Sequence, residues 1–130
     1  MNPDPVRYPP EYLRGIVHFN RREFFEAHEV WEDIWMESLR DRADFYKGLI
    51  QAAVAILHFT NGNLSGARKL YEGQKRLLGP YAPRFMGLDL AGLLARMDDL
   101  FAPVLAAAPG THVPIDESKI PTLRIEPVEG

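Results

Sequence analysis

Several features that define other classes of protein are missing from this chain of 130 residues. It has no cysteine, which excludes disulfide bonds and thiolate metal sites and fits a reducing compartment. It has no basic excess either, because 15 Lys and Arg residues stand against 18 Asp and Glu. Binding to a phosphate backbone normally requires such an excess, so we do not expect nucleic acid as a partner.

Long hydrophobic runs and targeting signals are also missing. The longest apolar stretch, near residues 48–59, is interrupted by Gln51 and His58, and it is shorter than the ~20 residues that cross a membrane. The first residues, MNPDPVRYPPEY, have no basic region followed by an apolar stretch, which a secretory signal would need. We therefore expect a soluble, cytoplasmic protein with no membrane partner.

The alternating pattern of β-strands is absent as well. Apolar residues instead recur at every third or fourth position almost everywhere up to Leu105, which is the period of amphipathic α-helices. At this length one domain can bury roughly two thirds of the surface that its unfolded chain exposes, so no second domain is needed. The sequence predicts an all-α fold, a compact array of five helices in a single domain over residues 1–108.

Prolines, glycines and capping residues set the expected helix limits. Asn20 and Glu23 have the spacing of a capping box, so Asn20 should begin the second helix. Pro103 should kink or divide the fifth helix, because proline cannot complete the helical hydrogen-bond pattern. The expected helices cover about residues 9–19, 20–38, 41–59, 65–78 and 89–108.

The third helix and the C-terminal segment differ from the other parts of the chain. The third helix is apolar on nearly all sides, so it should lie buried at the centre of the array. Residues 109–130 contain four prolines and no helical period. We expect this Pro-rich segment to be an extended or disordered C-terminal arm.

The second helix offers more apolar surface than one small domain can cover. It is apolar over roughly two thirds of its circumference when it is projected as a helix. Uncovered apolar surface of this kind is typical of interfaces between protein chains. We therefore expect another copy of the chain to cover part of this helix or the C-terminal arm, which would make the protein a homodimer.

Within the second helix, His28 and Glu32 fall in the middle of an aromatic arc. Successive residues turn by about 100°, so both polar side chains project from between the large apolar ones, which are Phe24, Phe25, Trp35 and Met36. A buried, unpaired carboxylate or imidazole is costly. We therefore expect His28 and Glu32 to lie in the dry interior and to have partners there.

The third helix carries polar residues that could be those partners. Lys47, Gln51 and His58 fall at i, i+4 and i+11, which aligns them along one side of an otherwise apolar helix. We expect one shared polar cluster at the contact of the second and third helices. Its expected members are His28, Glu32, Lys47, Gln51 and His58.

One interpretation of this cluster is a metal site. His28 and Glu32 have the i, i+4 spacing of the H-E-x-x-H zinc motif, with glutamate in place of the second histidine. With His58 as a third ligand, they would suit zinc, iron or manganese with open coordination positions. Glu29 would then be the general base of a hydrolase-like or oxygen-using enzyme.

Two other interpretations of the same residues involve no metal. His28, Glu32, Gln51 and His58 could satisfy one another by hydrogen bonds and fix the register of two packed helices. The cluster could also hold a small polar molecule beside Gln51. In both cases the protein would be a binding or interaction module, whereas a metal site would make it an enzyme.

Three segments resemble a known family, the small bacterial, archaeal and plant proteins known as domain of unknown function 309. They are FNRREFFEAHEVWEDIWM, FYKGLIQAAVAILHF and GNLSGARKLY, and the resemblance covers about residues 11–80. It implies a compact all-α fold and supplies no established reaction. The residues at the family's motif positions are Phe25, His28, Glu29, Glu32, Trp35, Gln51, His58 and Asn63.

Overall fold

The computed structural model describes residues 8–38 and 40–126, except for the side chains of residues 40 and 41. Within these residues the chain forms five α-helices and one two-stranded sheet, so the predicted all-α fold is confirmed. No helix in this part of the chain is long and apolar enough to cross a membrane. The helices are α1 (Pro10–Asn20), α2 (Phe24–Met36), α3 (Arg40–Thr60), α4 (Leu64–Leu78) and α5 (Leu90–Ala106).

Helix α3 lies at the centre of the array, as its apolar composition predicts. It packs against α2 on one side and α4 on the other, while α1 packs on α2 and α5 packs on α4. Small residues allow these close contacts: a Cβ atom on Gly48 would lie 2.6 Å from Leu78 Cδ2. The largest buried side chains of the core include Tyr12, Phe19, Trp31, Phe45, Tyr46, Ile56 and Phe101.

The predicted start of the second helix is wrong. Helix α2 begins at Phe24, its N-cap position is Glu23, and no side chain caps it. Glu23 instead contacts His18 at the end of α1, with Oε1 lying 3.0 Å from Nδ1. The capping box is therefore not formed, because both of its side chains have other partners.

Asn20 joins the end of α1 to the C-terminal segment. Its Nδ2 donates to the backbone oxygen of Leu123, and its Oδ1 accepts from the backbone nitrogen of Leu123, both at 2.7 Å. Leu123 is 5% exposed and belongs to the core. Asn20, which local spacing predicts as a helix cap, therefore binds a residue that lies 103 positions away in sequence.

We expect Asn20→Ala to lower the free energy of unfolding by about 1–3 kcal/mol, because two hydrogen bonds to one backbone unit are lost. Urea denaturation would measure this loss. Hydrogen exchange should locate it, with faster exchange at the Leu123 amide. Asn61→Ala is the matched control, since Asn61 is an exposed asparagine at the end of α3. Equal stability of the two variants would contradict the role given to Asn20.

A β-hairpin that the sequence pattern did not predict connects α4 to α5. Its strands are β1 (Arg84–Phe85) and β2 (Leu88–Asp89), paired antiparallel. Met86 and Gly87 between them both have positive φ, 48° and 78°, which a two-residue hairpin turn of this kind requires. The strands are too short for a hydrophobic alternation to be visible in the sequence.

Tyr12 holds this hairpin against α1. Its hydroxyl donates to the backbone oxygen of Met86 at 2.9 Å, and the residue is 0% exposed. Burial raises the pKa of the Tyr12 phenol well above its ordinary value, so the hydroxyl keeps its proton and remains a donor.

Helix α5 has a side-chain N-cap and continues past an internal proline. The side chain of Asp89 accepts from the backbone nitrogen of Gly92 at 3.0 Å, which is ordinary N-capping. Pro103 lies inside the helix, which runs on to Ala106, so the proline does not divide it. Its inner side completes the core with Leu93, Met97, Leu100, Phe101 and Val104.

Residues 107–126 run mostly without regular structure and return to the helices. One 3₁₀ turn, Glu117–Lys119, interrupts the segment. Near its end the backbone nitrogen of Glu126 donates to the backbone oxygen of Gly87 at 2.8 Å, and the Glu126 carboxylate pairs with Arg84 at 2.5 Å. The described part of the C-terminal segment is therefore packed on α1 and on the hairpin.

Candidate functional site

Helix α2 has apolar residues on two sides, and only one of these sides faces the core. The inner side is buried and consists of Phe24, Ala27, Trp31 and Ile34. On the other side, Phe25 is 50% exposed and Met36 is 73% exposed. We call this second side, with the polar pair between its apolar members, the outer α2 face; it consists of Phe25, His28, Glu32, Trp35 and Met36. Trp35 lies at its edge, where it is partly buried and also packs against the core.

His28 and Glu32 form a pair in the middle of the outer α2 face. His28 Nε2 lies 2.9 Å from Glu32 Oε2, one helical turn further along. The other ring nitrogen, Nδ1, lies 3.1 Å from the backbone oxygen of Phe25. The His28 ring also packs beside the Phe25 ring, with 5.4 Å between the ring centroids. These contacts hold the imidazole in one orientation.

The contacts of the His28 ring allow two protonation states with different chemistry. A doubly protonated ring donates from Nδ1 to the Phe25 carbonyl and carries a positive charge beside the Glu32 carboxylate, which gives an ion pair. A neutral ring that donates from Nδ1 keeps a lone pair on Nε2, which is how histidine presents itself to a metal ion. The pair can therefore act as an ion pair or as two adjacent ligands.

The environment of His28 and Glu32 differs from the dry interior that the sequence pattern predicts. Their side chains are 25% and 47% exposed in the single chain. The buried arc of α2 is centred near Trp31 instead, which is 0% exposed and donates from Nε1 to the Tyr12 backbone oxygen at 3.1 Å. A helical projection shows which residues share a face, but it does not show how far the neighbouring helices cover that face.

Gln51 points toward a different neighbour, helix α4. A Cβ atom on Gly73 would overlap Gln51 Oε1, so the glutamine side chain rests against the α4 backbone. Gln51 Oε1 is buried and has no hydrogen-bond partner within residues 8–38 and 40–126. Gln51 therefore helps to pack α3 against α4, and it does not join the His28–Glu32 pair.

His58 belongs to the turn between α3 and α4. Its Nδ1 lies 3.3 Å from Asn63 Nδ2. Asn63 is the N-cap of α4, since its Oδ1 accepts from the backbone nitrogen of Gly66 at 3.1 Å. The contact of His58 thus supports a helix cap. Lys47 is exposed on α3. The five predicted members therefore do not form one cluster: His28 and Glu32 contact each other on α2, whereas Lys47, Gln51 and His58 lie elsewhere.

The predicted set of three metal ligands is not assembled within one chain. Among the residues that the structure describes, no group of three or more His, Cys, Asp and Glu is close enough to hold a metal ion. His28 and Glu32 meet each other, whereas His58 contacts Asn63. Glu29 is exposed. Its predicted role as a general base and the binding of zinc, iron or manganese both stay predictions.

Gln74 is a buried polar residue that the sequence pattern does not single out. It is 0% exposed, and neither Nε2 nor Oε1 has a hydrogen-bond partner in the described part of the chain. The helical period predicts its burial, because Gln74 falls on the same side of α4 as Ala67 and Tyr71. Whether the amide finds a hydrogen-bond partner depends on the helices that pack on α4, which are α3 and α5. The period of α4 alone does not show which of their residues it meets.

The amino-acid sequence of the chain matches a known protein family. Residues 12–70 match the family described as a domain of unknown function (DUF309). "Uncharacterized protein YpuF" of Bacillus subtilis (strain 168) is 32% identical over 119 residues, which are 87% of this chain and 68% of that protein. An uncharacterized protein of Aquifex aeolicus (strain VF5) is 25% identical over 83 residues, 63% of this chain and 25% of that protein. The chain belongs to the DUF309 family.

The match to the family includes the outer α2 face. Residues 12–70 cover most of α1, all of α2 and α3, and the first half of α4. Gln74 and the C-terminal segment lie beyond it. The description of the family prescribes no reaction, so the function has to be argued from the exposed surface and its contacts.

Proposed function

We propose that this protein is a self-associating interaction module in which two copies pack their outer α2 faces together. The observation that carries the proposal is the exposure of large apolar side chains on both sides of a polar pair. Phe25 is 50% exposed and Met36 is 73% exposed. Aromatic residues and methionine are enriched in the cores of protein interfaces, where they bury large apolar areas.

The spacing of this face supports a second copy as the partner. Phe25, His28, Glu32 and Trp35 are three, four and three residues apart, so the spacing is the same in both directions along α2. Two antiparallel α2 helices related by a two-fold axis level with Val30 would place Phe25 opposite the partner's Trp35. A two-fold interface joins the same surface of both copies, so each contact between two residues occurs twice. Such a surface has to be complementary to itself.

The charges of the face fit the same arrangement. In the antiparallel pairing, His28 would lie opposite the partner's Glu32, and Glu32 opposite the partner's His28. Opposite charges would then meet at the two-fold axis, surrounded by Phe25 and Trp35. Charge complementarity of this kind fixes the register and orientation of an interface. The face therefore suits a copy of itself better than an unrelated acidic or basic partner.

The proposal is tested by the association state of the chain and of a variant of its outer α2 face. Sedimentation equilibrium at micromolar concentration should give a dimer. Phe25→Glu should raise the dimer Kd by about 30-fold or more, the effect of removing an interface anchor worth about 2 kcal/mol. Leu105→Glu is the matched control, because Leu105 is an exposed apolar residue of α5, 37% exposed, and should leave the Kd unchanged.

A charge exchange tests the orientation of the two copies. His28→Glu should weaken the dimer, since the introduced carboxylate of each copy would then lie opposite the Glu32 carboxylate of the other copy. Adding Glu32→His should restore it, because the exchange recreates opposite charges in the antiparallel register. A monomer in every condition, or a double variant no better than the single one, would contradict the proposal.

A further inference from the structure

We infer that the surface under the end of the C-terminal segment is a peptide-binding groove, which residues 121–126 of the chain itself occupy and which an extended segment of another protein can take in their place. The ligand is an extended peptide with aliphatic side chains at alternate positions, followed by an acidic residue. The groove lies between the end of α1 and the hairpin of β1 and β2. It is separate from the outer α2 face, so the inference does not depend on the proposed dimer.

The end of the C-terminal segment has the burial pattern of a bound extended peptide. Pro121 and Leu123 are buried, and Ile125 is partly buried. Thr122 and Arg124, which lie between them, are exposed. Successive side chains of an extended chain point to opposite sides, so one side is turned toward the helices and the other toward solvent. Domains that bind extended peptides recognise every second side chain in this way.

Two groups of the groove bind the backbone of this segment. The side chain of Asn20 donates to the backbone oxygen of Leu123 and accepts from its backbone nitrogen, both at 2.7 Å. Further along, the backbone oxygen of Gly87 accepts from the backbone nitrogen of Glu126 at 2.8 Å. Every peptide carries the same backbone groups. These hydrogen bonds therefore suit any extended segment whose side chains fit the groove.

The hairpin defines the acidic end of the ligand. Arg84 Nη1 lies 2.5 Å from the Glu126 carboxylate. A Cβ atom on Gly87 would lie 3.0 Å from Ile125 Cγ2, so the glycine allows Ile125 to rest on the turn of the hairpin. These contacts favour a ligand in which an acidic residue directly follows the last aliphatic one.

The part of the chain that leads into the groove has few contacts with the helices. Residues 108–112 and 116–119 are all exposed, and Val113, Ile115 and Ile120 pack on the core only in part. Within the described residues, the backbone hydrogen bonds of residues 107–122 stay inside the segment or return to the last turn of α5. A segment with so few buried contacts opens at a lower free energy than the whole fold. Residues 121–126 can therefore leave the groove while the helices remain folded.

The groove is also wider than the segment that occupies it. A cavity of about 330 Å³ lies beside the segment, with Leu93 and Arg96 of α5 and Leu123 among its lining residues. A second cavity, of about 370 Å³, lies between Arg96 and residues 118–122. The interior of a protein usually leaves few voids larger than a water molecule. The space beside Leu123 allows the same groove to accept a ligand with larger side chains.

The test uses the full chain and a fluorescently labelled peptide, KIPTLRIE, which has the sequence of residues 119–126. Leu123→Asp should release the attached segment, because burial of an unpaired carboxylate is costly. Fluorescence anisotropy should then show saturable binding of the peptide to this variant. The wild-type chain should bind the peptide at least about 10-fold more weakly, because its attached segment competes at a high effective concentration.

Substitutions in the groove test whether the peptide binds where the attached segment lay. In the Leu123→Asp chain, adding Asn20→Ala should raise the peptide Kd by about 10-fold, because two hydrogen bonds to the peptide backbone are lost. Adding Asn61→Ala, the matched control, should leave the Kd unchanged. A peptide that itself carries Leu123→Asp should not bind. Circular dichroism would verify that each variant is folded.

Hydrogen exchange of the wild-type chain gives a test that needs no variant. The amides of Leu123 and Glu126 should exchange through local opening, with protection factors at least about 10-fold lower than those of the slowest amides of α3. Equal protection of the two sets would mean that the segment leaves the groove only when the whole chain unfolds. That result overturns the inference.

Each binding result also gives a decision. Peptide binding to the Leu123→Asp chain that depends on Asn20 supports the groove. No binding to this variant when it is folded, or equal binding to the variant and the wild-type chain, overturns it. Association of Phe25→Glu chains that is lost on adding Leu123→Asp would mean that two copies exchange their C-terminal segments. That outcome overturns another protein as the partner and is separate from the dimer through the outer α2 face.

Discussion

Trp31→Ala is expected to lower the free energy of unfolding by about 3–5 kcal/mol, the range measured when a large aromatic residue is removed from a protein core. Trp31 is 0% exposed, and its indole nitrogen donates to the Tyr12 backbone oxygen at 3.1 Å. The substitution would open a cavity between α1 and α2 and remove the indole hydrogen bond to that oxygen. Urea denaturation followed by circular dichroism would measure the loss. A loss below about 1 kcal/mol would contradict this account of the core.

The other side of the same contact gives an independent test. A Cβ atom on Gly15 would overlap Trp31 Nε1, so Gly15→Ala should cost about 1–3 kcal/mol through overpacking. The same substitution at Gly79, where an added Cβ atom would meet no packed neighbour within 4 Å, should be close to neutral. In the Trp31→Ala background, Gly15→Ala should lose most of its effect. A double-mutant cycle would show this coupling.

Gln74→Met is expected to raise the free energy of unfolding by about 1–3 kcal/mol, the approximate cost of a buried polar group without a partner. Gln74 is 0% exposed, and both polar atoms of its amide lack hydrogen-bond partners in the described part of the chain. Methionine has a similar length and no strong polar group, so it should fill the same space. Chemical denaturation would measure the gain as a higher midpoint with an unchanged slope.

A second substitution at the same position should act in the opposite direction. Gln74→Glu keeps the size of the side chain and adds a charge to a fully buried site, so it should destabilise the fold or force the carboxyl group to take up a proton. If Gln74→Met were neutral or destabilising, the amide would have to be satisfied by buried solvent, and its role would be structural.

The helices were predictable because each depends on a short stretch of sequence. The period of apolar residues identified all five, and the Asn63 and Asp89 side chains cap α4 and α5 through hydrogen bonds that span only three residues. Asn20 has an equally suitable side chain for capping, but that side chain hydrogen-bonds the backbone of Leu123, which lies 103 positions away. Local spacing gives no information about such a competitor. The start of α2 therefore could not be predicted from the residues around it.

The candidate site was predictable only in part, for a similar reason. The i, i+4 spacing alone brings His28 and Glu32 together, since one turn of helix places them within reach of each other. The expected additions from α3 depended on which faces of two helices meet. Gln51 turned out to face α4, and His58 to face the turn before it. The association of two chains through the outer α2 face stays a proposal.

The sequence by itself determined the helical class, the approximate helix limits, the family and the pairing of His28 with Glu32, because all of these follow from the period of a helix or from contiguous motifs. Only the tertiary structure decided that Trp31 is the buried centre of α2, that Phe25 and Met36 remain exposed, and that Asn20 binds the C-terminal segment. These features depend on how neighbouring helices cover one another. That cover is set by packing between residues far apart in the chain, which the pattern of a single helix does not contain.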